Sequence, residues 1–170
     1  IFPLLRLQLA VKGFRAEVHT GEFDTMHQQV LDPDSELYTF GPDVVWLMTS
    51  WRDVRMPDAA ACQVDPQGVV EAALEQTRAL WKAIQNNSKA YVIQNNADLP
   101  RFQVFGNFEG SAPWSKTNLL RRYNLMLADA LLPGVSIFDL EFLSARVGLD
   151  NWEEPRWWYH SKHEIGRAHV

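Results

Sequence analysis

The sequence predicts an α/β fold with a parallel central sheet and helices on both faces of that sheet. Three short apolar segments are typical of buried strands: DVVWLMTS at 43–50, KAYVIQNN at 89–96 and VSIFDL at 135–140. Helical segments lie between them, and strands that alternate with helices are typical of parallel sheets. We therefore expect a three-layer, flavodoxin-like arrangement.

The first forty residues predict one helix, one strand and two helical turns. PLLRLQLAVKG, at 3–13, has an early Pro and a final Gly, which favour a helix that starts and stops there. FRAEVHT, at 14–20, alternates apolar and polar residues and predicts a strand. Pro33 divides the helical segment 24–40. Because doubly wound folds normally begin with a strand, we expect a first strand and its turn to precede Ile1.

The middle of the chain carries the clearest strand and the clearest helix. The run at 43–50 is continuously apolar between Pro42 and Arg52, which predicts a strand buried on both faces. Asp65 and Pro66 are a favourable N-cap and first helical residue, and they open a helix that extends to residue 87.

The remaining segments complete the alternation. Residues 99–115 are rich in Gly and Pro and predict a long loop. Residues 116–134 predict a helix closed by Pro133 and Gly134. A short helix is expected at 141–148, ending at its Gly.

Composition narrows the class of protein. The chain has 170 residues, of which 46% are hydrophobic, and this fits one domain with a sizeable core. A net charge of −5 argues against nucleic acid or an anionic membrane as the main partner. The single cysteine, Cys62, fits a reducing compartment, so we expect a cytoplasmic protein. Gly-rich phosphate loops are not seen, and we expect no cofactor.

Polar residues follow the predicted strands, where parallel folds bind ligands. Ser50 could serve an oxyanion or act as a nucleophile, and Arg52 could clamp an anion. Asn96 and Asn107 carry amides that could bind a substrate carbonyl. Each residue has a plainer interpretation as turn chemistry or a local ion pair. We expect Ser50, Arg52, Asn96 and His160 to approach one another at this edge.

Histidines cluster in the last stretch, WWYHSKHEIGRAHV. His160 follows three aromatic residues and a group of acids, and it is a candidate general base. The alternative is an aromatic anchor that packs this end of the chain onto the sheet. His160 and His163 could share a metal on a helix, but no third ligand is evident, and we predict no metal site.

An ordered set of segments resembles the amino-terminal region of FkbH-like proteins. The set includes LLRLQLAVKG, EVHTGEFD, VVWLMTSWRDV, VIQNN, LLRRYNLMLADAL, FDLEFLSARVGLDNW and RWWYHSK, over about residues 3–163. The resemblance implies an SGNH-hydrolase-like α/β domain, followed in the whole protein by a HAD-type phosphatase or acyltransferase-like domain. It also implies acyl carrier protein as a possible partner, since some members load a glyceryl unit onto one.

Two functions stay open under this resemblance. The first is an enzyme part that acts on an ester or thioester with His160 and Ser50. The second is a non-catalytic module that docks a carrier protein or a partner domain. SGNH hydrolases place an aspartate three residues before the catalytic histidine, and Trp157 occupies that position here. This departure favours docking, whereas the amides and His160 favour the enzyme. A generic flavodoxin-like domain is the third possibility.

The final residues predict a domain boundary. EIGRAHV, at 164–170, is the in-frame translation of GAGATCGGAAGAGCACACGT, which looks like a common sequencing-adapter stretch. We therefore expect a domain over 1–163 and an adapter-derived artefact over 164–170, and we assign His169 no role. We also expect the fragment to be inactive alone, since the HAD aspartates are not present in it.

Overall fold

The computed structural model describes residues 2–22 and 24–153. Its α-helices are Phe2–Val11 (α1), Met26–Leu31 (α2), Glu36–Phe40 (α3), Ala59–Val64 (α4), Pro66–Asn87 (α5), Lys116–Asp129 (α6), Leu140–Val147 (α7) and Leu149–Trp152 (α8). The strands are Val44–Leu47 (β1), Tyr91–Asn95 (β2) and Val135–Phe138 (β3), and Gly106–Ser111 is a 3-10 helix.

The three strands form one parallel sheet in the order β1-β2-β3. Val45 pairs with Val92, and Val92 pairs with Val135. Parallel neighbours need long crossover connections, which here contain α4 and α5 between the first two strands and α6 between the last two. The predicted parallel α/β fold is confirmed.

Helix α5 begins and packs as its sequence predicts. The Asp65 carboxylate accepts a hydrogen bond from the Gly68 N–H at 2.9 Å, and Pro66 opens the helix. Trp81 is fully buried, and its indole Nε1 donates to Oε1 of Gln94 in β2 at 3.0 Å. The helix is thereby fixed to the sheet by a buried polar contact as well as by apolar packing.

Helix α6 packs beside α5 over the same core. Ser115 caps it through a side-chain oxygen that accepts from the Asn118 N–H. The Tyr123 hydroxyl shares a 2.8 Å hydrogen bond with the Thr77 hydroxyl of α5, and burial raises the pKa of Tyr123. The buried apolar residues of the helix are Leu119, Leu120, Tyr123 and Leu127.

The two faces of β1 differ in burial. Val45 and Leu47 belong to the core, whereas Val44 is 50% exposed. Trp46, on the same face as Val44, is half-buried and contacts the Phe138 ring with centroids 5.2 Å apart. The prediction that 43–50 is buried on both faces is therefore wrong within the described part of the chain. An apolar run in the sequence does not show which faces of the strand are covered by neighbouring elements.

The predicted strand over 14–20 is also wrong. Within the described residues, this segment pairs with no strand, and Phe14 and Arg15 are exposed. Local side-chain contacts hold it instead: Arg6 Nη2 donates to the Val18 carbonyl at 3.2 Å, and His19 stacks on Phe40. Alternation of apolar and polar residues thus does not require a sheet neighbour here.

The short helix α4 precedes α5 and has its own N-cap. Asp58 caps α4 by accepting from the Ala61 N–H at 2.9 Å. Cys62 lies on this helix and is buried, and burial, followed by the nearby Asp58 charge, raises the pKa of its thiol. A buried thiol with a raised pKa is a poor nucleophile.

Candidate functional site

The loop after β1 places Ser50 at the carboxyl edge of the sheet. Its backbone N–H and its hydroxyl donate to Asp53 Oδ2 at 2.8 and 3.1 Å, and its hydroxyl accepts from the Arg52 N–H at 3.3 Å. Ser50 is buried. These contacts close a tight turn, so the hydroxyl is engaged in the architecture of the loop.

Arg52 turns towards the end of the described chain. It forms an ion pair with Glu153, whose second carboxylate oxygen accepts from the Arg101 N–H at 3.0 Å. Its guanidinium also lies over the Trp51 ring, 4.3 Å from the centroid. Arg52 therefore connects the β1 loop to the residue that follows α8.

Asp98 joins the loops that follow β1 and β2. Its carboxylate accepts from the Trp51 N–H at 2.8 Å and from the Trp152 indole at 2.7 Å. Asp98 is 1% exposed, and this burial raises its pKa, while the two hydrogen bonds partly oppose the rise. This residue was not singled out from the sequence, although it lies in the strand-end segment QNNAD.

Asn96 holds the start of α7. Its side-chain Nδ2 donates to Asp139 Oδ1 at 2.9 Å, and its Oδ1 accepts from the Glu141 N–H at 2.9 Å. The amide therefore ties the end of β2 to the helix that follows β3. The described contacts link Ser50 to Arg52 directly, and they place Asn96 in a neighbouring network rather than in contact with Ser50.

Asn124 makes a second amide connection that sequence reasoning missed. Its Oδ1 accepts from the Ala97 N–H and its Nδ2 donates to the Ala97 carbonyl, both at 2.8 Å. Nδ2 also donates to Glu141 Oε2 at 2.7 Å. One side chain thus satisfies both backbone groups of a buried residue just beyond β2. A polar residue on the buried face of an otherwise apolar helix is the signal that could have found it.

Two cations lie against one indole at this edge. Lys116 Nζ is 4.2 Å from the centroid of the Trp51 ring, in addition to the Arg52 guanidinium at 4.3 Å. Burial lowers the pKa of Lys116, and the neighbouring Arg52 charge lowers it further. Lys116 is the first residue of α6, directly after its Ser cap, and the sequence alone did not indicate that it reaches this loop.

The other predicted site residues stand apart from these contacts. Asn107 is exposed on the 3-10 helix, and among the described contacts it joins none of the networks above. His160 and the whole of 164–170 lie outside the described residues. The proposed roles of Asn107 and His160 stay predictions.

An apolar patch borders the same edge in the long loop after β2. Its members are Phe102, Val104, Phe105 and Phe108, which are 64%, 81%, 41% and 58% exposed. Arg101 and Arg121 line a shallow hollow together with Phe102. We call this group, with the two arginines, the β2–α6 patch.

Metal sites and membrane-spanning helices were also sought among the described residues. Within 2–22 and 24–153, no three His, Cys, Asp or Glu side chains are grouped so that they could hold a metal ion. Nor does any helix in this part of the chain have the length and apolarity needed to cross a membrane.

Among the described residues, the contacts at this edge position loops, and none of them gives Ser50 a histidine partner. Ser50 donates to a carboxylate, but a carboxylate alone is a weak base for a serine hydroxyl. The buried acids Asp98 and Glu153 accept hydrogen bonds that fix loops in place. Fold and site together define a parallel α/β domain in which hydrogen bonds join the loops at the carboxyl edge.

Comparison with known proteins then gives the family. The family model "FkbH, N-terminal domain" matches residues 7–167, and the chain belongs to that family. The match includes 164–167, and the domain boundary after His163 stays a prediction. No curated protein matches the chain.

A solved structure has the same fold. It is the crystal structure of the N-terminal part of the protein BF1531 from Bacteroides fragilis, containing a phosphatase domain complexed with Mg. The two chains are 16% identical with a TM-score of 0.74, over 95% of this chain and 43% of the other. At this identity the likeness shows the fold alone, and the present chain spans less than half of that neighbour.

Proposed function

We propose that this chain is the docking domain of an FkbH-like protein, and that it binds an acyl carrier protein on behalf of a HAD-type domain of the same polypeptide. The observation that carries the proposal is the β2–α6 patch. Contiguous exposed apolar side chains with a charged rim are typical of protein interaction sites. The proposal goes beyond the family assignment, and it places the protein in the cytoplasm.

The two arginines of the β2–α6 patch indicate a partner with negative charge. Arg121 is exposed on α6, and Arg101 lies over the Phe102 ring with its guanidinium carbon 5.0 Å from the centroid. Arg101 is also paired with the exposed Asp150 at 2.7 Å, a contact that solvent weakens. Aromatic residues beside arginines favour a partner that has apolar groups surrounded by carboxylates. We expect the carrier protein to present such a surface to the patch.

The hydrogen-bonded loops beside the patch support docking over catalysis. A partner seated on the patch would lie next to the β1 loop, which hydrogen bonds and an ion pair connect to Asp98 and Glu153. Such preorganisation lowers the entropic cost of binding.

A carrier titration tests the proposal. The purified chain is titrated with holo and apo acyl carrier proteins from polyketide pathways, and binding is followed by fluorescence anisotropy of the labelled carrier. We expect Val104→Ser and Arg121→Glu each to weaken binding about tenfold, which is about 1.4 kcal/mol. Val64→Ser is the matched control, because Val64 is a similarly exposed valine on α4, outside the patch.

The outcome is decided by the contrast between variants. Equal affinity for the carrier protein in the Val104→Ser, Arg121→Glu and Val64→Ser variants would show that the patch does not bind the carrier. Saturable binding that only the patch variants weaken supports it.

A second candidate function is hydrolysis of an ester or thioester. The observation in its favour is the Ser50–Asp53 contact, which keeps a serine hydroxyl beside an acid at the carboxyl edge. In this proposal His160 is the general base, and Arg52, Asn96 and Asn107 bind the substrate. It requires His160 to reach Ser50 within hydrogen-bond distance.

A further inference from the structure

We propose that Lys116, together with Arg52 and the indole of Trp51, binds the phosphate group of a ligand at the carboxyl edge of the sheet. The ligand class is a phosphate monoester or diester. The inference concerns residues outside the β2–α6 patch, and it does not depend on carrier docking.

The geometry gathers positive charge on one aromatic ring. Lys116 Nζ and the Arg52 guanidinium carbon lie 4.2 and 4.3 Å from the centroid of Trp51. Lys116 is the first residue of α6, but the amino end of this helix is already occupied, since the buried Glu109 carboxylate accepts from the Thr117 N–H and Ser115 accepts from the Asn118 N–H. The indole ring and the two side-chain cations therefore lie together, and these side chains rather than the helix end would bind the anion.

The charge of Lys116 has no carboxylate partner among the described residues. Arg52 is paired with Glu153, but no described carboxylate lies within ion-pair distance of Lys116 Nζ. Lys116 is half-buried, and its lowered pKa reflects lost hydration and a like-charged neighbour. An anion in contact with Nζ would offset both effects.

A hydrogen-bond donor without an acceptor lies in the same group. The Trp51 indole N–H is buried and has no acceptor among the described residues. Buried donors are nearly always paired, so an unpaired one calls for an explanation. A ligand oxygen is an acceptor that would satisfy it.

The arrangement fits phosphate better than carboxylate. Glu153 already engages Arg52 as a carboxylate does, and the neighbouring ammonium stays available. Ammonium and indole N–H donors approach from different elements, and a tetrahedral anion offers oxygens in several directions. Lysine is a common phosphate ligand, bound as a point charge.

The test follows the Trp51 indole resonance by NMR. The chain is labelled with ¹⁵N, and Trp51→Phe identifies the resonance among those of the seven tryptophans. Inorganic phosphate, methyl phosphate and acetate are titrated separately at constant ionic strength. We expect a saturable shift with both phosphates and an affinity at least about tenfold weaker for acetate.

Three lysine variants decide the role of the side chain. Lys116→Gln should weaken methyl phosphate binding about tenfold or more, because a charge-assisted hydrogen bond is lost. Lys116→Arg should retain most of the affinity. Lys82→Gln, which changes an exposed lysine on α5, should leave binding unchanged.

Three results would contradict the proposed phosphate site. Equal affinity for acetate and methyl phosphate, or equal effects of Lys116→Gln and Lys82→Gln, would reduce it to nonspecific screening. A shift with inorganic phosphate but not with methyl phosphate would identify an adventitious ion only and would also contradict the inference. The resonances of residues far from α6 report in each spectrum whether the variant is folded.

Discussion

The indole of Trp152 donates a 2.7 Å hydrogen bond to Asp98, a carboxylate that is 1% exposed. The other oxygen of that carboxylate accepts from the backbone N–H of Trp51. A single buried acid therefore joins the loops after two neighbouring strands to the last described helix. Burial of a carboxylate is unfavourable unless its oxygens accept hydrogen bonds, and both do so here.

Replacing Asp98 by Asn should destabilise the fold. An amide offers only one oxygen, so one of the two donors, the Trp51 N–H or the Trp152 indole, would be left without its partner. We expect the free energy of unfolding to fall by about 1–3 kcal/mol in urea titrations. Asp129→Asn, at an exposed residue of α6, serves as the control. A loss no larger than that of the control would contradict the joining role.

The raised pKa of Asp98 gives the fold a pH dependence of known sign. The native state binds a proton more tightly than the unfolded state, whose aspartates titrate near pH 3.9. The contribution of Asp98 to stability is therefore full below about pH 4 and is lost as pH rises through the higher folded pKa. Unfolding free energies at several pH values, with Asp98→Asn as the reference, measure the contribution. A difference between the two proteins that does not change between pH 4 and 7 would refute the shift.

Lys116 should show a pH dependence that its lowered pKa dictates. In the native state the ammonium loses hydration and faces Arg52, so the unfolded state binds the proton more tightly. Stability should therefore rise with pH between the folded pKa of Lys116 and the usual lysine pKa near 10.4. The parent should gain stability relative to Lys116→Met as pH increases from 7 to 10. Lys82→Met should show no such trend, and identical trends would count against the shift.

Activity assays separate the two functional proposals. We expect this chain alone to turn over neither p-nitrophenyl acetate nor p-nitrophenyl phosphate at a useful rate, because the described residues give Ser50 only a carboxylate as a base and the sequence does not contain the HAD aspartates. Ser50→Ala and His160→Ala proteins are assayed in parallel. Turnover of the acetate ester that both variants abolish would show a complete esterase site and would displace docking as the main proposal.

The sequence predicted the parts of the fold that local chemistry determines. Asp65 and Pro66 predicted the start of α5. The apolar runs around Val45, Val92 and Val135 predicted three strands, and the structure confirms that these strands are parallel. The prediction of a strand at 14–20 was wrong because a strand forms only beside a neighbouring strand. Alternation within one segment does not show whether such a neighbour is present.

The candidate site was only partly predictable. Ser50 and Arg52 follow β1, so the rule for strand ends gives their position at the carboxyl edge, while their functional roles stay predictions. Asp98 and Lys116 were missed because their contacts, with Trp152 and Trp51, join residues more than fifty positions apart. Such contacts arise from tertiary packing, and no local pattern in the chain encodes them.

The order of the strands also governs how the chain reaches its native state. Val45 pairs with Val92, and Val92 with Val135, so paired residues are more than forty positions apart. No hairpin can nucleate this sheet, and each pairing must first close a large loop of disordered chain. Contacts of this kind slow folding, while α5, with its own caps, can form early. The rate-limiting step is therefore expected to be the docking of β2 between its two distant neighbours.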